Sequence, residues 1–480
     1  MLFNSLEFIV FLFIILVGLY LIKRRQYQHL FLLIGSYFFY WYTSSDLLLL
    51  LILVTIVTYY CGNAAYYAEN KPKKRIYLAI GTIIPLIILG YFKYFNFFLQ
   101  SFEGLNGTTT PFLDIILPIG ISFYTFQGLS YVFDLYRGTL TPATSFKEYA
   151  LFVTFFPQLV AGPIVRASEF LPQLKNKIEI TPGNLQLGIS LILWGLMKKV
   201  LIADNISPLV NEVFSYPLGQ TSFYIIAATI LFGIQIYCDF SGYSDIAIGC
   251  AIAMGLQLPQ NFLRPYLSRS PTEFWRRWHM TLGRYIKDYL YIPLGGNRKG
   301  HFRTYVNLIT TMLICGLWHG AAWNFVIWGG YHGMLLAFHK IIDHEYHIGA
   351  KNWFLSKTNA GLITKILITQ YFVFLGWLLF RVGNPTELIY CIKKFIFIDF
   401  IFTPFQFSVV VLGVLSVAGV YVLSINTTIF ARISKFITFE WVEYVGTAPK
   451  QIWLLYVLAA VTLLFWFAPL RVSSFIYFAF

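Results

Sequence analysis

Long apolar stretches, repeated from one end of the chain to the other, constrain this sequence more than any other feature. Eleven of them come close to the roughly 20 residues that an α-helix needs to cross a bilayer. They lie near 5–22, 47–66, 76–99, 113–135, 184–202, 222–239, 303–318, 321–342, 363–381, 406–424 and 452–469. Of the 480 residues, 58% are hydrophobic and only 12% are charged, which is more apolar surface than a soluble fold can bury. We therefore expect an all-α polytopic membrane protein with about eleven transmembrane helices, forming one integral domain over residues 1–480 in the lipid bilayer.

Clusters of lysine and arginine predict which parts of the chain face the cytoplasm. They lie at 23–25, 71–75 and 264–303, and basic loops next to apolar helices are typically cytoplasmic. This assignment places the N-terminus on the outer side. It also explains the net charge of +14, so we expect no nucleic acid as a partner. The five cysteines form no C-x-x-C pair, so the sequence predicts neither a disulfide framework nor a bound metal.

Two apolar segments do not fit as simple crossings. Segment 150–164 is short, is interrupted by two prolines and a glycine, and lies between basic clusters. We expect it to be a re-entrant element buried in protein. Three apolar stretches separate Lys177 from the basic segment 264–303, an odd number for two cytoplasmic ends. Segment 241–257 is therefore expected not to cross completely.

Two histidines lie inside apolar sequence, where polar residues are costly and often functional. His319, with Trp318 before it and Asn324 soon after, separates two long apolar stretches. His332 belongs to the glycine- and aromatic-rich segment 328–333, where glycines let a backbone or a ligand approach closely. A buried neutral imidazole is suited to accept a proton as a general base. A hydrogen-bonded packing histidine is the alternative for both, and the pattern alone leaves it open.

Segment 273–290 has the pattern of one amphipathic helix lying in the membrane interface. Its apolar face includes Trp275 and Trp278. The basic residues of the opposite face are Arg276, Arg277, Arg284 and Lys287. An anchor that binds lipid headgroups would explain the basic side chains. It does not explain His279, which adjoins the apolar face and is a second candidate for chemistry.

Two carboxylates, Asp239 and Asp245, lie in an apolar region with Tyr243 between them. They could relay protons, but we favour a structural hydrogen-bonded network at a helix break. The polar run 343–347 superficially resembles a metal site. It lacks the H-E-x-x-H pattern and is expected to be a solvated loop.

Several short motifs identify the chain as similar to a known family. They are Ser122-Phe-Tyr-Thr-Phe126, Phe155-Phe-Pro-Gln158, Ala161-Gly-Pro163, Tyr237-Cys-Asp-Phe-Ser-Gly-Tyr-Ser-Asp245, Pro259-Gln-Asn-Phe262, Phe274-Trp-Arg-Arg-Trp-His279, Tyr291-Ile-Pro-Leu-Gly-Gly-Asn297 and Trp318-His-Gly320. Over nearly its whole length the chain resembles the membrane-bound O-acyltransferases, in the branch of the bacterial alginate and peptidoglycan O-acetyltransferases. Teichoic acid D-alanyl transfer proteins are near relatives of that branch.

The resemblance implies a ring of helices, with re-entrant and interfacial elements, around a thin centre and a central tunnel. It assigns His319 as the catalytic residue and His279 as a second essential position. His279 and Asn324 could orient the donor or hydrogen-bond the developing oxyanion. The remaining residues expected along the tunnel or at the substrate are Trp318, His332, Trp275, Trp278, Asp239 and Tyr243. The basic residues of segment 273–290 are expected on the donor side.

The implied reaction is transfer of an acetyl group across the bacterial cytoplasmic membrane. The donor would be acetyl-CoA, or another acyl thioester such as an acyl carrier, with no tightly bound cofactor. The acceptor would be a hydroxyl of a cell-envelope polysaccharide, or an extracytoplasmic SGNH-type partner that acetylates it. A polysaccharide or lipid transporter using the intramembrane carboxylates is one alternative, and a non-catalytic scaffold is another.

Overall fold

The computed structural model describes residues 1–106, 113–345, 359–399 and 439–469, with a few single positions in 403–412 and 475–476. Every regular element in these residues is helical, which confirms the all-α prediction. The first helices are α1 (Leu6–Leu21), α2 (Arg25–Thr43), α3 (Leu48–Tyr67), α4 (Lys71–Leu89), α5 (Phe95–Asn106), α6 (Ile121–Arg137), α7 (Phe146–Thr154), α8 (Phe156–Leu159), α9 (Ala167–Phe170) and α10 (Pro182–Leu196). The others are α11 (Asp204–Ser215), α12 (Ser222–Ala253), α13 (Pro271–Arg277), α14 (Met280–Ile286), α15 (His301–His319), α16 (Trp323–Glu345), α17 (Asn359–Arg381), α18 (Pro385–Ile396), α19 (Phe439–Gly446) and α20 (Lys450–Phe467).

Six helical segments within the described residues are long and apolar enough to cross a membrane. They are Ser45–Tyr67, Lys71–Glu103, Pro182–Ser215, Ser222–Ala253, Gly361–Arg381 and Lys450–Phe467. Two of them run through π-helical turns, at Gly90–Tyr94 and Met197–Ala203. These segments confirm a multi-pass membrane protein. The predicted stretch 406–424 lies largely outside the described residues.

The chain divides into two compact units that alternate along the sequence. The first comprises Met1–Met197, Phe240–Gln260 and Val445–Phe480, and the second comprises Lys198–Asp239 and Asn261–Tyr444. The prediction of a single domain over residues 1–480 stays a prediction.

The irregular segment 150–164 belongs to the first unit and is buried there. α7 ends at Thr154, and the single turn α8 begins at Phe156. All residues from 148 to 165 are buried, and the Phe156 ring packs within 5.1–6.2 Å of the rings of Phe8, Phe11 and Phe39. The prediction of a short, broken element buried in protein is confirmed. Its entry and exit on one side of the membrane stay a prediction.

The predicted helix break at 239–245 is wrong, because α12 runs unbroken from Ser222 to Ala253. Segment 241–257 is therefore mostly the second half of one long helix. Glycines explain the close packing of this half against α10. A Cβ added at Gly188 would lie 2.6 Å from Gly249 O, and one added at Gly195 would lie 2.5 Å from Gly242 O. The three apolar stretches between Lys177 and segment 264–303 are therefore two long helical segments, Pro182–Ser215 and Ser222–Ala253. Two crossings are compatible with the prediction that Lys177 and segment 264–303 both face the cytoplasm.

In the second unit, α15 and α16 form a hairpin whose backbones touch. A Cβ added at Gly316 would overlap the carbonyl oxygen of Phe325, and one at Gly329 would overlap that of Met312. A Cβ at Gly333 would lie 2.7 Å from the Cα of Ile309. The glycines predicted to allow close approach therefore do so between helices. The contact fixes the last turn of α15, which ends at His319.

Candidate active site

The segment predicted as one interfacial helix is two short helices with a turn at His279. α13 ends at Arg277 and α14 begins at Met280. His279 has φ +45°, in the left-handed region that side chains other than glycine rarely adopt. The prediction of a continuous helix over 273–290 is therefore wrong. Its apolar face is confirmed in part, since Trp278, Leu282 and Tyr285 are buried.

Asn261 holds this turn in place. Its carbonyl oxygen accepts a hydrogen bond from Met280 N at 2.9 Å. Its side-chain Oδ1 accepts from Thr281 N at 3.3 Å and Thr281 Oγ1 at 2.9 Å, and lies 3.1 Å from His279 Nδ1. Asn261 belongs to the motif Pro259-Gln-Asn-Phe262, which by itself indicates no role for it. Its function depends on a turn that only the folded chain forms.

The structure brings His279 and His319 together. Their ring centroids are 6.5 Å apart, and the Trp318 ring lies 6.0 Å from the His279 ring. His279 is fully buried, and His319 is 5% exposed. Burial lowers the pKa of His279 to about 3, so its imidazole is neutral near neutral pH. Two of the residues assigned by the resemblance thus form the centre of one buried site.

A third histidine and two tryptophans extend this centre. The Trp328 ring lies 5.0 Å from the His319 ring and 4.9 Å from that of His332. Trp275 Nε1 donates to His332 Nδ1 at 3.4 Å. We call the group His279, His319, His332, Trp275, Trp318 and Trp328 the histidine cluster. All six belong to the second unit.

Two further predicted site residues support the walls of the cluster. Asn324 Nδ2 donates to Phe380 O at 2.9 Å, which ties the start of α16 to the end of α17. The Phe380 ring lies 5.6 Å from that of His319. Trp278 is buried and packs 4.7 Å from Trp377, also on α17. Phe380 and Trp377 were not predicted as site residues, because nothing distinguishes them from the other apolar residues around them in the sequence.

Asp239 and Tyr243, although close in sequence, have separate surroundings. Asp239 lies in the second unit, where Lys199 Nζ is 2.6 Å from its Oδ1 and 2.8 Å from Oδ1 of Asp204. The three side chains are at most 5% exposed and form a buried ionic triad. Tyr243 lies in the first unit, where its ring stacks 4.4 Å from that of Phe3. Asp239 therefore has a structural partner, Lys199, which the sequence did not reveal. The helix break that was predicted around it does not exist.

A cavity of about 710 Å³ adjoins the histidine cluster. Among the residues that the structure describes, no acidic side chain lines it and five cationic ones do: Arg276, Arg284, Lys287, Arg298 and Lys340. Trp275 belongs to both the cluster and the cavity lining, and Cys315, one turn before His319, also lines the cavity. We call this space the basic cavity. Three of the four predicted basic residues line it.

Arg277, the fourth, does not line the basic cavity. Its Nη2 is 2.6 Å from Glu273 Oε1, an ion pair within α13. Arg298 and Lys340, which do line the cavity, were not singled out from the sequence. Arg298 follows Gly295 and Gly296, both at positive φ, and Lys340 lies on α16. The prediction of a polar loop at 343–347 is wrong for residues 343–345, which belong to α16, and the other two residues lie outside the described residues.

Comparisons with known proteins identify relatives of this chain. The profile of the membrane-bound O-acyltransferase family matches residues 140–381. The chain is 38% identical to "Probable alginate O-acetylase AlgI" of Pseudomonas putida, over 80% of this chain and 78% of that protein. It is 40% identical to the protein of the same description from Pseudomonas aeruginosa, over 80% and 72%. It is 39% identical to the peptidoglycan O-acetyltransferase of Helicobacter pylori, over 65% and 63%.

The chain belongs to the membrane-bound O-acyltransferase family. It is an O-acyltransferase, a multi-pass membrane enzyme whose relatives act on polysaccharides of the cell envelope. The histidine cluster and all residues that line the basic cavity lie within the matched residues 140–381, as does all of α12. The transporter and scaffold alternatives are not supported, since the family and these relatives are acyltransferases.

Proposed function

We propose that this enzyme transfers an acetyl group from acetyl-CoA, bound from the cytoplasm, to a hydroxyl on the far side of a bacterial cytoplasmic membrane. The acceptor is a cell-envelope polysaccharide or an extracytoplasmic SGNH-type partner that acetylates it. The observation that carries the proposal is the basic cavity meeting the histidine cluster at Trp275. The names of the relatives support acetyl as the acyl group.

His319 is the general base in this proposal. It takes the hydroxyl proton while the hydroxyl oxygen forms a bond to the thioester carbonyl carbon. The tetrahedral intermediate then expels the sulfur as the C–S bond breaks, and the thiolate takes a proton to leave as free CoA. A positioned base of this kind contributes roughly 10²–10⁴ in rate. The ring centroids of His279 and His319 are 6.5 Å apart, close enough for the two imidazoles to contact the same substrate.

The basic cavity holds the donor in this proposal. CoA carries its charge on phosphate groups, and cationic side chains around a cleft concentrate and orient such a polyanion. Five cations without a lining carboxylate match that ligand. With the phosphates among them, the thioester end of the donor can extend past Trp275 and Cys315 toward the histidine cluster.

The test is acetyl transfer by the purified enzyme in detergent or nanodiscs, with release of CoA from acetyl-CoA as the readout. His319→Gln keeps much of the side-chain volume and can still hydrogen-bond, but it cannot take a proton, so it should abolish transfer at an unchanged melting temperature. His301→Gln is the matched control. It changes an exposed histidine at the opposite end of α15 and should transfer normally.

Near-normal transfer by His319→Gln would end the general-base assignment. A packing histidine would instead tolerate glutamine, and His319→Ala would lower the melting temperature through the cavity left behind. An acetylated carrier protein that is turned over while acetyl-CoA is not would overturn the assignment of the donor.

A further inference from the structure

The hydrogen bonds of Asn261 determine which nitrogen of His279 carries a proton. The atom that accepts from Thr281 N must be the amide oxygen, because a backbone N–H can only donate. An amide oxygen in turn cannot donate, so its 3.1 Å contact with His279 requires the hydrogen to be on Nδ1. A neutral imidazole has a single N–H. Nε2 of His279 therefore has a lone pair and accepts.

The surroundings of His279 keep its ring neutral. The ring is fully buried, and burial alone accounts for a pKa of about 3. The titratable group that faces it from α15 is His319, and the Phe262 and Trp318 rings pack 6.4 Å and 6.0 Å away. The nearest cation in sequence, Arg277, is paired with Glu273. The arrangement favours one uncharged tautomer.

We propose that Asn261 is a positioning residue, which holds His279 in its left-handed turn and in the tautomer whose Nε2 accepts a hydrogen bond from a substrate O–H or N–H. The inference rests on the proposed function in one respect, that the histidine cluster is where the acyl group is transferred. It changes the role expected of His279. A neutral ring held in this way has no second N–H, so it orients a substrate and does not donate to the oxyanion.

The variant Asn261→Asp distinguishes a positioning role of Asn261 from a role in packing alone. The carboxylate keeps an acceptor for Thr281 and for His279 Nδ1, so the turn should be preserved. Its charge stabilises the imidazolium and should raise the pKa of His279, typically by about 1–3 units for so close an opposite charge. A protonated Nε2 no longer accepts. A pKa raised by this amount from about 3 stays below neutral, so transfer should be close to normal at neutral pH and fall as the pH decreases, with a kcat profile whose acid limb lies at least one unit higher than in the wild type.

Asn261→Ala removes the oxygen and should lower kcat by about 10- to 100-fold, as loss of a group that orients a histidine typically does. The KM for acetyl-CoA should stay within about twofold, because Asn261 does not line the basic cavity. Asn63→Ala is the matched control. It removes another asparagine acceptor, bonded to Tyr131 Oη at 2.7 Å in the first unit, and should leave kcat and its pH profile unchanged.

Nitrogen-15 NMR of histidine-labelled wild-type enzyme provides a readout that needs no folded variant at Asn261. The spectrum of His279→Gln identifies the His279 signals by difference. We expect a protonated Nδ1 and an unprotonated Nε2. The opposite tautomer would overturn the inference, as would a wild-type pH profile in a folded Asn261→Asp variant. Either result, with acetyl transfer present in the wild type and lost in His319→Gln, would leave the proposed function intact. A wild-type enzyme that releases no CoA from acetyl-CoA would reject that function, and normal transfer in His319→Gln would reject the general-base role of His319, whatever Asn261 does.

Discussion

Trp275 donates its indole N–H to Nδ1 of His332 at 3.4 Å, while the same indole lines the basic cavity. One side chain therefore belongs both to the place suited to an anionic donor and to the place suited to proton transfer. A ligand that fills the cavity must contact a residue that is hydrogen-bonded into the histidine cluster. This shared residue makes the cavity and the cluster one site.

Neutralising the cavity should weaken donor binding more than chemistry. Arg276, Arg284 and Lys287 changed together to glutamine should raise the KM for acetyl-CoA severalfold, with a larger effect at low ionic strength, because exposed charges act through screened attraction. Arg277→Gln is the control, since Arg277 is paired with Glu273 and does not line the cavity. Steady-state kinetics at two salt concentrations measure the effect. A fall in kcat alone, without salt dependence, would contradict electrostatic binding of the donor.

The backbone contact between α15 and α16 should not tolerate a methyl group. Gly316→Ala places a Cβ onto the Phe325 carbonyl oxygen, and overpacking of this kind costs about 1–3 kcal/mol. The expected result is a lower melting temperature together with lower transfer, because α15 ends at His319. Gly183→Ala, where a Cβ meets nothing within 4 Å, should have no such effect. Equal melting curves for the two variants would contradict the close contact.

Asp239 should matter for stability through Lys199. Asp239→Ala removes one carboxylate from a buried ionic triad, and loss of a partner from a buried ion pair typically costs about 3–5 kcal/mol. A thermal shift assay should show a large destabilisation, with little change for Asp46→Ala, whose carboxylate bonds to an exposed serine. If Asp239→Asn melted like the wild type yet lost transfer, a direct role in the reaction would replace the structural one.

His279 should make the folded protein less stable as the pH falls. Its pKa is lowered from 6.5 to about 3 on folding, so between these values the unfolded chain binds more protons than the folded one. Stability is therefore complete above pH 6.5 and decreases toward pH 3, by about 1.4 kcal/mol per pH unit for one such group. Melting temperatures from pH 7 to pH 4.5 should decline less steeply in His279→Gln than in the wild type. Parallel declines would show that other groups determine the acid sensitivity.

The length and hydrophobicity of the apolar stretches predicted most of the long helices, because a helix that crosses a bilayer needs both properties. For α12 this prediction was wrong. Asp239 and the polar residues after it suggested a break at the end of an apolar stretch. In the folded chain the helix continues, since Lys199 neutralises the carboxylate and glycines let α10 approach. Both compensations come from distant parts of the sequence.

The candidate site could also be predicted only in part from the sequence. His319 and His279 could be named from local motifs, and three of the four predicted basic residues line one cavity. The turn at His279 could not be predicted, because nothing in the local sequence requires a left-handed histidine. Asn261, eighteen positions earlier, imposes it through four contacts. Lys340 likewise reaches the cavity only through the packing of α16.

The alternation of the two units along the sequence affects how the protein is made. α10 emerges from the ribosome early, yet Ser190 and Gln186 on it bond to Trp453, Tyr456 and Ala448, near the end of the chain. The first unit therefore remains incomplete while the whole of the second is synthesised and inserted. Until α20 arrives, these polar groups of α10 need water, lipid headgroups or an insertion chaperone as temporary partners. A nascent chain stopped before residue 445 would lack all three of these contacts of α10.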